Sequence, residues 1–176
     1  QILTRTSPLG RTHTAVYDAD GNPVRVADPL GAAQTAAYDP LGYPLSVTDP
    51  LGRPSAATYD GMGRVAVLHE PGGRLWRVGH DPAGRRVSLA DPLGNVHRLA
   101  WDPAGRLSAE TDPLGRVTRY AYDAAGRCVS LTDPRGKVTR FFWNARGERT
   151  GIAYPDGTVE SFAWTATGQL ARRTDG

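Results

Sequence analysis

The chain has 176 residues, a net charge of +3 and a single cysteine, and its 21 glycines and 14 prolines make up about a fifth of it. One cysteine, Cys128, excludes an intramolecular disulfide, and with it a zinc site of four cysteines or of two cysteines and two histidines. No apolar run reaches the roughly 18 residues of a spanning helix, and no basic segment leads into an apolar one as in a secretory signal.

Read from the first residue onward, the sequence repeats every 21 residues. An aromatic or histidine recurs at Tyr17, Tyr38, Tyr59, His80, Trp101, Tyr122, Trp143 and Trp164, and a glycine follows each one four positions later. A second glycine series, from Gly10 to Gly157, lies between them. Both glycines close four-residue strings. The first set begins just after the aromatic, with Asp18 to Gly21, Asp39 to Gly42, Asp60 to Gly63 and Asp123 to Gly126. The second set carries proline in second place: Asp28, Pro29 and Gly31; Asp49, Pro50 and Gly52; Asp91, Pro92 and Gly94; Asp112, Pro113 and Gly115.

Each string reads as a type I turn followed by a glycine bulge. Aspartate hydrogen-bonds the turn backbone, proline presets φ, and glycine accepts the left-handed conformation. Six or seven residues separate successive turns, which suits a strand and is too short for a helix. The predicted unit is strand, turn, strand, turn. An odd period adds a constraint, because two identical turns would slip the register by one residue per repeat and turn the apolar face outward. The two turns are therefore expected to close differently by one residue, or one hairpin must carry a compensating bulge. With that correction, one face collects residues such as Val26, Val47, Leu89, Tyr120, Phe141 and Trp164. The other collects Arg25, Thr35, Ser46, Thr48, Ser88, Ser130 and Thr132. Ser108, Glu110 and Arg173 interrupt the apolar face. Roughly sixteen strands at about 4.8 Å spacing would have to curl or join a larger wall.

The strings Tyr122-Asp123-Ala124-Ala125-Gly126-Arg127 and Thr111-Asp112-Pro113-Leu114-Gly115-Arg116 resemble the RHS, or YD-repeat, family, and the resemblance extends over essentially the whole chain. It weakens toward the end, where Trp143-Asn144 and Trp164-Thr165 stand for Tyr-Asp and Tyr154 replaces a turn aspartate. The resemblance implies an all-β fold in which tandem hairpins form a long curved antiparallel sheet, a section of a spiral β-cocoon. Residues 1–176 would be one array of about eight repeats from a longer chain, since the sequence starts at Gln1 and stops at Gly176 within a repeat motif. The settings it implies are bacterial polymorphic toxins, insecticidal toxin complexes and animal teneurins. In the bacterial members the shell encloses a C-terminal toxin domain until delivery. The implied partners are the remaining repeats, that toxin domain and secretion-system delivery proteins. No specific nucleic acid and no membrane segment is implied, and the location is secreted or cell-surface associated. A cell-surface adhesion or carbohydrate-binding scaffold is the alternative. No Asp-Pro-x-Gly string here is followed by Leu, so the family's self-cleavage motif is not matched within these residues.

No enzyme activity and no cofactor is expected from the residues themselves. The turn aspartates recur too far apart, roughly 10 Å, to form a catalytic pair or a calcium cage. His13, His69, His80 and His97 show no ligand spacing, and Cys128 reads as a small buried hydrophobe. The aromatic column could offer a stacking platform for sugars or single strands, but packing on the apolar face is the stronger reading. Arg77, Arg98, Arg119 and Arg140 recur at one strand position on the less apolar face, a positive stripe suited to an acidic partner.

Overall fold

The computed structural model describes residues 1–176, which hold strands joined by turns and short connections and no helix. Seventeen strands alternate with short turns, one more than the sequence suggests. They belong to two compact units, residues 1–95 and 96–176. The first unit contains β1 (Ile2–Thr6), β2 (Thr12–Tyr17), β3 (Pro23–Ala27), β4 (Ala33–Tyr38), β5 (Pro44–Thr48), β6 (Pro54–Tyr59), β7 (Val65–Glu70), β8 (Arg74–His80) and β9 (Arg86–Ala90). The second contains β10 (Val96–Trp101), β11 (Leu107–Thr111), β12 (Val117–Tyr122), β13 (Cys128–Thr132), β14 (Val138–Trp143), β15 (Arg149–Ala153), β16 (Val159–Trp164) and β17 (Leu170–Asp175). Within each unit every strand pairs antiparallel with the next in sequence, so each is a plain meander. Pro23, Pro44 and Pro54 open their strands, where a missing N–H is tolerated.

The two kinds of turn close in the same way. In the turn after Tyr122, the Asp123 N–H donates to the Arg127 carbonyl and the Gly126 N–H to the Asp123 carbonyl, both at 3.0 Å. In the turn after Thr132, Asp133 and Lys137 pair at 2.9 Å and Gly136 donates to Asp133 at 2.9 Å. The expectation of different closures is therefore corrected, and the bulge is what supplies the odd period. Ala121 faces Ser130, but Tyr122 faces Cys128, so Val129 is the extra residue. The same shift occurs beside every aromatic-slot residue, from Val16/Tyr17 to Ala163/Trp164. Hairpins closed by the second set of turns have none, as in Ser130 facing Arg140 and Thr132 facing Val138. A bulge in one hairpin of each pair keeps successive repeats in phase, so the same side chains stay on the same face.

Cross-strand partners share a face. Tyr120 lies opposite Leu131, Phe141 opposite Ile152, and Val78 opposite Leu89, which assembles the expected apolar face. Ser108 is the bulge residue of its repeat, left over between Ala109 opposite Ala100 and Leu107 opposite Trp101. Glu110 sits among Leu99 and Thr118. Arg173 reaches the carboxylates of Glu160 and Asp175, both at 3.0 Å. Only Ala27, Gly151 and Ile152 are buried, Ala27 and Ile152 at 7% exposed, and Val26, Leu45 and Leu68 remain well exposed. One layer of sheet cannot cover its own apolar side.

The turn glycines hold φ between +73° and +93°, a region that costs any residue with a Cβ. Gly63 carries a further constraint, because a Cβ there would fall on the Tyr43 side chain, whose ring centroid lies 5.0 Å from that of Tyr59. Gly52, with φ +77°, has open space around it. Gly52→Ala is expected to cost about 1 kcal/mol, and Gly63→Ala about twice that or more because the tyrosine pair must also move. Urea unfolding of the two variants measures this; equal losses would show that the tyrosine contact carries nothing.

Candidate functional site

The recurrent polar residues converge on the turns. In the turn at Asp123, carboxylate oxygen Oδ1 accepts the Ala125 and Arg127 backbone N–H groups, both at 3.0 Å, while Oδ2 accepts Arg127 Nε at 2.7 Å. Asp60 repeats the pattern with Met62 and Arg64, and Asp49 with Leu51 and Arg53. Where the aspartate is replaced, the role is kept. Asn144 Oδ1 accepts the Arg146 and Glu148 N–H groups, and Thr165 Oγ1 accepts that of Gln169. The Asp28, Asp39, Asp91 and Asp112 carboxylates are likewise held by their own turns. These oxygens are engaged by backbone and neighbouring side chains, and no three His, Cys, Asp or Glu side chains gather into a metal-binding group.

In eight of the turn aspartates such bonds favour the ionised form. For Asp18, Asp49 and Asp102 the backbone N–H four residues on is the main cause of a lowered pKa. For Asp123 it is the hydrogen bond from the Arg127 side chain. In Asp60, Asp81 and Asp112 partial desolvation is the largest influence and opposes the shift, but the N–H and guanidinium donors together outweigh it.

The turns that follow the aromatic slot do more than close a hairpin. Within residues 96–176, Arg127 grips its own Asp123 and extends Nη1 to the Asn144 carbonyl of the next such turn, at 2.7 Å. Arg106 does the same from Asp102 to the Asp123 carbonyl at 3.1 Å. Their guanidinium planes cover the Trp143 and Tyr122 rings at 6.0 and 4.7 Å. The aromatics then reach back one repeat: Tyr122 Oη donates to the Leu107 carbonyl, Trp143 Nε1 to Cys128 and Trp164 Nε1 to Arg149, at 2.8–2.9 Å. Within residues 1–95 the same stitching is made by Arg64 to the Asp81 carbonyl and by the Tyr38 and Tyr59 hydroxyls to the Pro23 and Pro44 carbonyls.

The second set of turns, those not preceded by the aromatic slot, lacks this stitching at Arg53 and Arg116. Arg53 and Arg116 grip only their own Asp49 and Asp112, with side chains 61% and 63% exposed, against 30% for Arg127. At their tips stand Leu30, Leu51, Leu93 and Leu114, each at least 76% exposed. One set of turns thus forms a bonded edge and the other a loose one.

Five of the eight side chains in the aromatic column, Tyr38, Tyr59, Tyr122, Trp143 and Trp164, therefore have their polar tips committed to the backbone, which leaves them little for stacking a ligand. His80 occupies its slot with Nδ1 3.8 Å from the Asp60 carboxylate. Cys128 is half-buried, and burial pushes its thiol pKa up, the opposite of an activated thiolate. Arg98, Arg119 and Arg140 project from strands of the second unit, and Arg77 from a strand of the first. The turn arginines Arg64, Arg106 and Arg127 were not expected to matter. Their signal was the Gly-Arg that ends the strings after the aromatic, legible only with a neighbouring repeat in view.

Two outcomes follow. Arg127→Ala should lower the thermal midpoint by about 2–4 °C, the equivalent of roughly 1 kcal/mol in a chain of this size, while Arg116→Ala should leave it nearly unchanged. Equal effects would contradict the two-edge assignment. The carboxylates of Asp18, Asp49, Asp60, Asp81, Asp91, Asp102, Asp112 and Asp123, with folded pKa values below the ordinary 3.8, bind fewer protons folded than unfolded. Their contribution is complete above about pH 5 and is lost as pH falls through those lower values. Melting curves from pH 6 to pH 2 should show the midpoint dropping below about pH 4; a level midpoint to pH 2 would refute the role.

Comparison with known proteins agrees with this geometry. The family model described as RHS Repeat matches residues 17–54, 38–75, 59–96, 101–138 and 125–159. The solved structure of TcdB2-TccC3 without its hypervariable C-terminal region aligns with a TM-score of 0.70 and 17% identity, over 98% of this chain and 11% of that one. The TcdB2-TccC3 structure aligns with a TM-score of 0.62 and 17% identity, over 98% and 12%. The chain spans about a tenth of the length of these neighbours, and at such identity the likeness concerns the fold. No curated protein matches the sequence.

Proposed function

Because the chain belongs to the RHS-repeat family, we propose that it is a section of shell wall that encapsulates a C-terminal toxin domain of the same polypeptide before delivery. The observation that carries this reading is the uncovered apolar face, of which only Ile152 is fully buried. Such a face needs either a second layer or enclosed contents, and a wall that closes on itself provides both. The role of the repeats is then mechanical. Ladder hydrogen bonds and the arginine stitching make a continuous barrier, and no residue of the array has to perform chemistry.

The partners under this reading are further repeats at the free edges of β1 and β17, the enclosed domain, and the machinery that exports the assembly. A row of unpaired strand groups invites such continuation. The location is secreted or cell-surface associated in a bacterium.

Limited proteolysis of the polypeptide expressed with its flanking sequence tests the proposal. A domain C-terminal to the repeats should survive protease within the intact protein and be degraded at least tenfold faster when expressed alone. Equal degradation rates, or flanks holding a membrane anchor and no passenger, would overturn encapsulation.

A further inference from the structure

We propose that the polar face of the sheet in residues 96–176 is a docking surface for an acidic, carboxylate-rich polypeptide segment. The register places four guanidinium groups on that face. Arg98 lies opposite Thr111, Arg119 between Ala109 and Thr132, Arg140 between Ser130 and Ala153, and Arg172 opposite Ala163. All four are exposed. None has an ion pair, hydrogen bond or ring contact.

The other arginines of this unit make the contrast clear. Arg106, Arg116 and Arg127 are held by turn aspartates, Arg146 donates to the Ala166 carbonyl, Arg149 lies over Phe162, and Arg173 bridges Glu160 and Asp175, which leaves only Arg135, at a turn tip off this face, without a side-chain contact. Carboxylates are absent from the polar face. Glu110, Glu160 and Asp175 sit on the opposite one, as the partners Leu99, Ile152 and Glu160 establish, and the remaining carboxylates stand at turns. Positive charge on this face therefore has no internal counter-charge. Within residues 1–95 the corresponding face carries Arg25 opposite Thr35 and Arg77 opposite Ala90, also exposed and also without a partner.

The ground between the arginines is low. Ala109, Ser130, Thr132 and Ala153 flank Arg119 and Arg140, so an extended segment can lie flat without meeting a bulky side chain. Arg119 and Arg140 are two strands apart and staggered by two residues, which puts them roughly 12 Å from one another. Carboxylates suit this array, because a guanidinium fork takes a carboxylate by two parallel hydrogen bonds. Phe142, 48% exposed and opposite Gly151, adds one apolar contact on the same face. A single-stranded nucleic acid is disfavoured. It would need stacking rings beside the cations, and the column from Trp101 to Trp164 lies on the other face with the Trp143 and Trp164 N–H groups bonded to backbone. The surface is independent of whether the wall encloses a passenger.

The test is fluorescence anisotropy of the 176-residue chain with three labelled 16-residue probes: a Glu/Ser peptide with one Leu, its Gln-for-Glu counterpart, and an oligothymidylate. The acidic peptide should bind at 50 mM salt, tenfold or more tighter than the Gln peptide, and weaken by at least tenfold at 300 mM salt as screening predicts. The quadruple variant Arg98→Gln/Arg119→Gln/Arg140→Gln/Arg172→Gln should retain the circular dichroism spectrum and bind the acidic peptide at least tenfold more weakly. If that variant does not fold, the pairs Arg98→Gln/Arg119→Gln and Arg140→Gln/Arg172→Gln should each lose threefold or more. No binding by the unaltered chain, binding unaffected by these substitutions, equal binding of the Gln peptide, or tighter binding of the oligothymidylate would each overturn the proposal.

Discussion

Everything in this structure depends on one extra residue per repeat. Two turns with identical hydrogen-bond closure join strands whose side chains alternate with period two, and the repeat length of 21 is odd. Left alone, those facts would rotate each repeat by one position and bury arginine where the last repeat buried leucine. The bulge beside Tyr38, Tyr59, Tyr122 and their equivalents absorbs the mismatch. Its position also has a consequence for packing. A bulge increases local twist and re-aims the neighbouring side chain, and the re-aimed side chain is always the aromatic, whose polar tip in five repeats meets a carbonyl of the repeat before.

From that placement the difference between the two edges follows. An aromatic ring next to the turn gives the following arginine a surface to lie on, and the ring of one repeat lies within reach of the arginine of the previous one. Arg106 over Tyr122 and Arg127 over Trp143 are the result. Each arginine then serves three acceptors at once: its own aspartate, a carbonyl of the next turn and the π face. The turns at Asp49 and Asp112 have no aromatic before them, so Arg53 and Arg116 stay in solvent with a single aspartate, an arrangement worth little on a surface.

Much of this was legible in the sequence. The 21-residue period, the turn role of Asp28, Asp39 and Asp123, the strand lengths and the separation of apolar from polar faces could all be read from spacing, because each depends on local geometry or on a period of two. The need for a one-residue correction was legible as well, but its location was not. A bulge and an altered turn satisfy the same arithmetic, and only the pairing of Ala121 with Ser130 and Tyr122 with Cys128 distinguishes them. The stitching arginines were hidden for a different reason. Arg106 and Arg127 act on residues 17 positions away, across a distance that becomes short only after two hairpins have folded side by side.

The same accounting of polar groups limits where a partner can engage. Turn aspartates have their oxygens held by N–H and guanidinium donors, and the aromatic hydroxyl and indole groups of the bonded edge are committed to backbone carbonyls. The bonded edge is therefore chemically closed. What remains open is an apolar face with too few neighbours to bury it, a row of leucines on the loose turns, and a polar face whose guanidinium groups have no counter-charge. The proposed enclosure answers the apolar side and the proposed carboxylate-rich segment the charged side, and the bulge keeps these two demands on opposite sides of every strand. A repeat that kept its turns and lost the bulge would mix them, with cations among the valines and leucines, and neither kind of contact could then extend beyond a single hairpin.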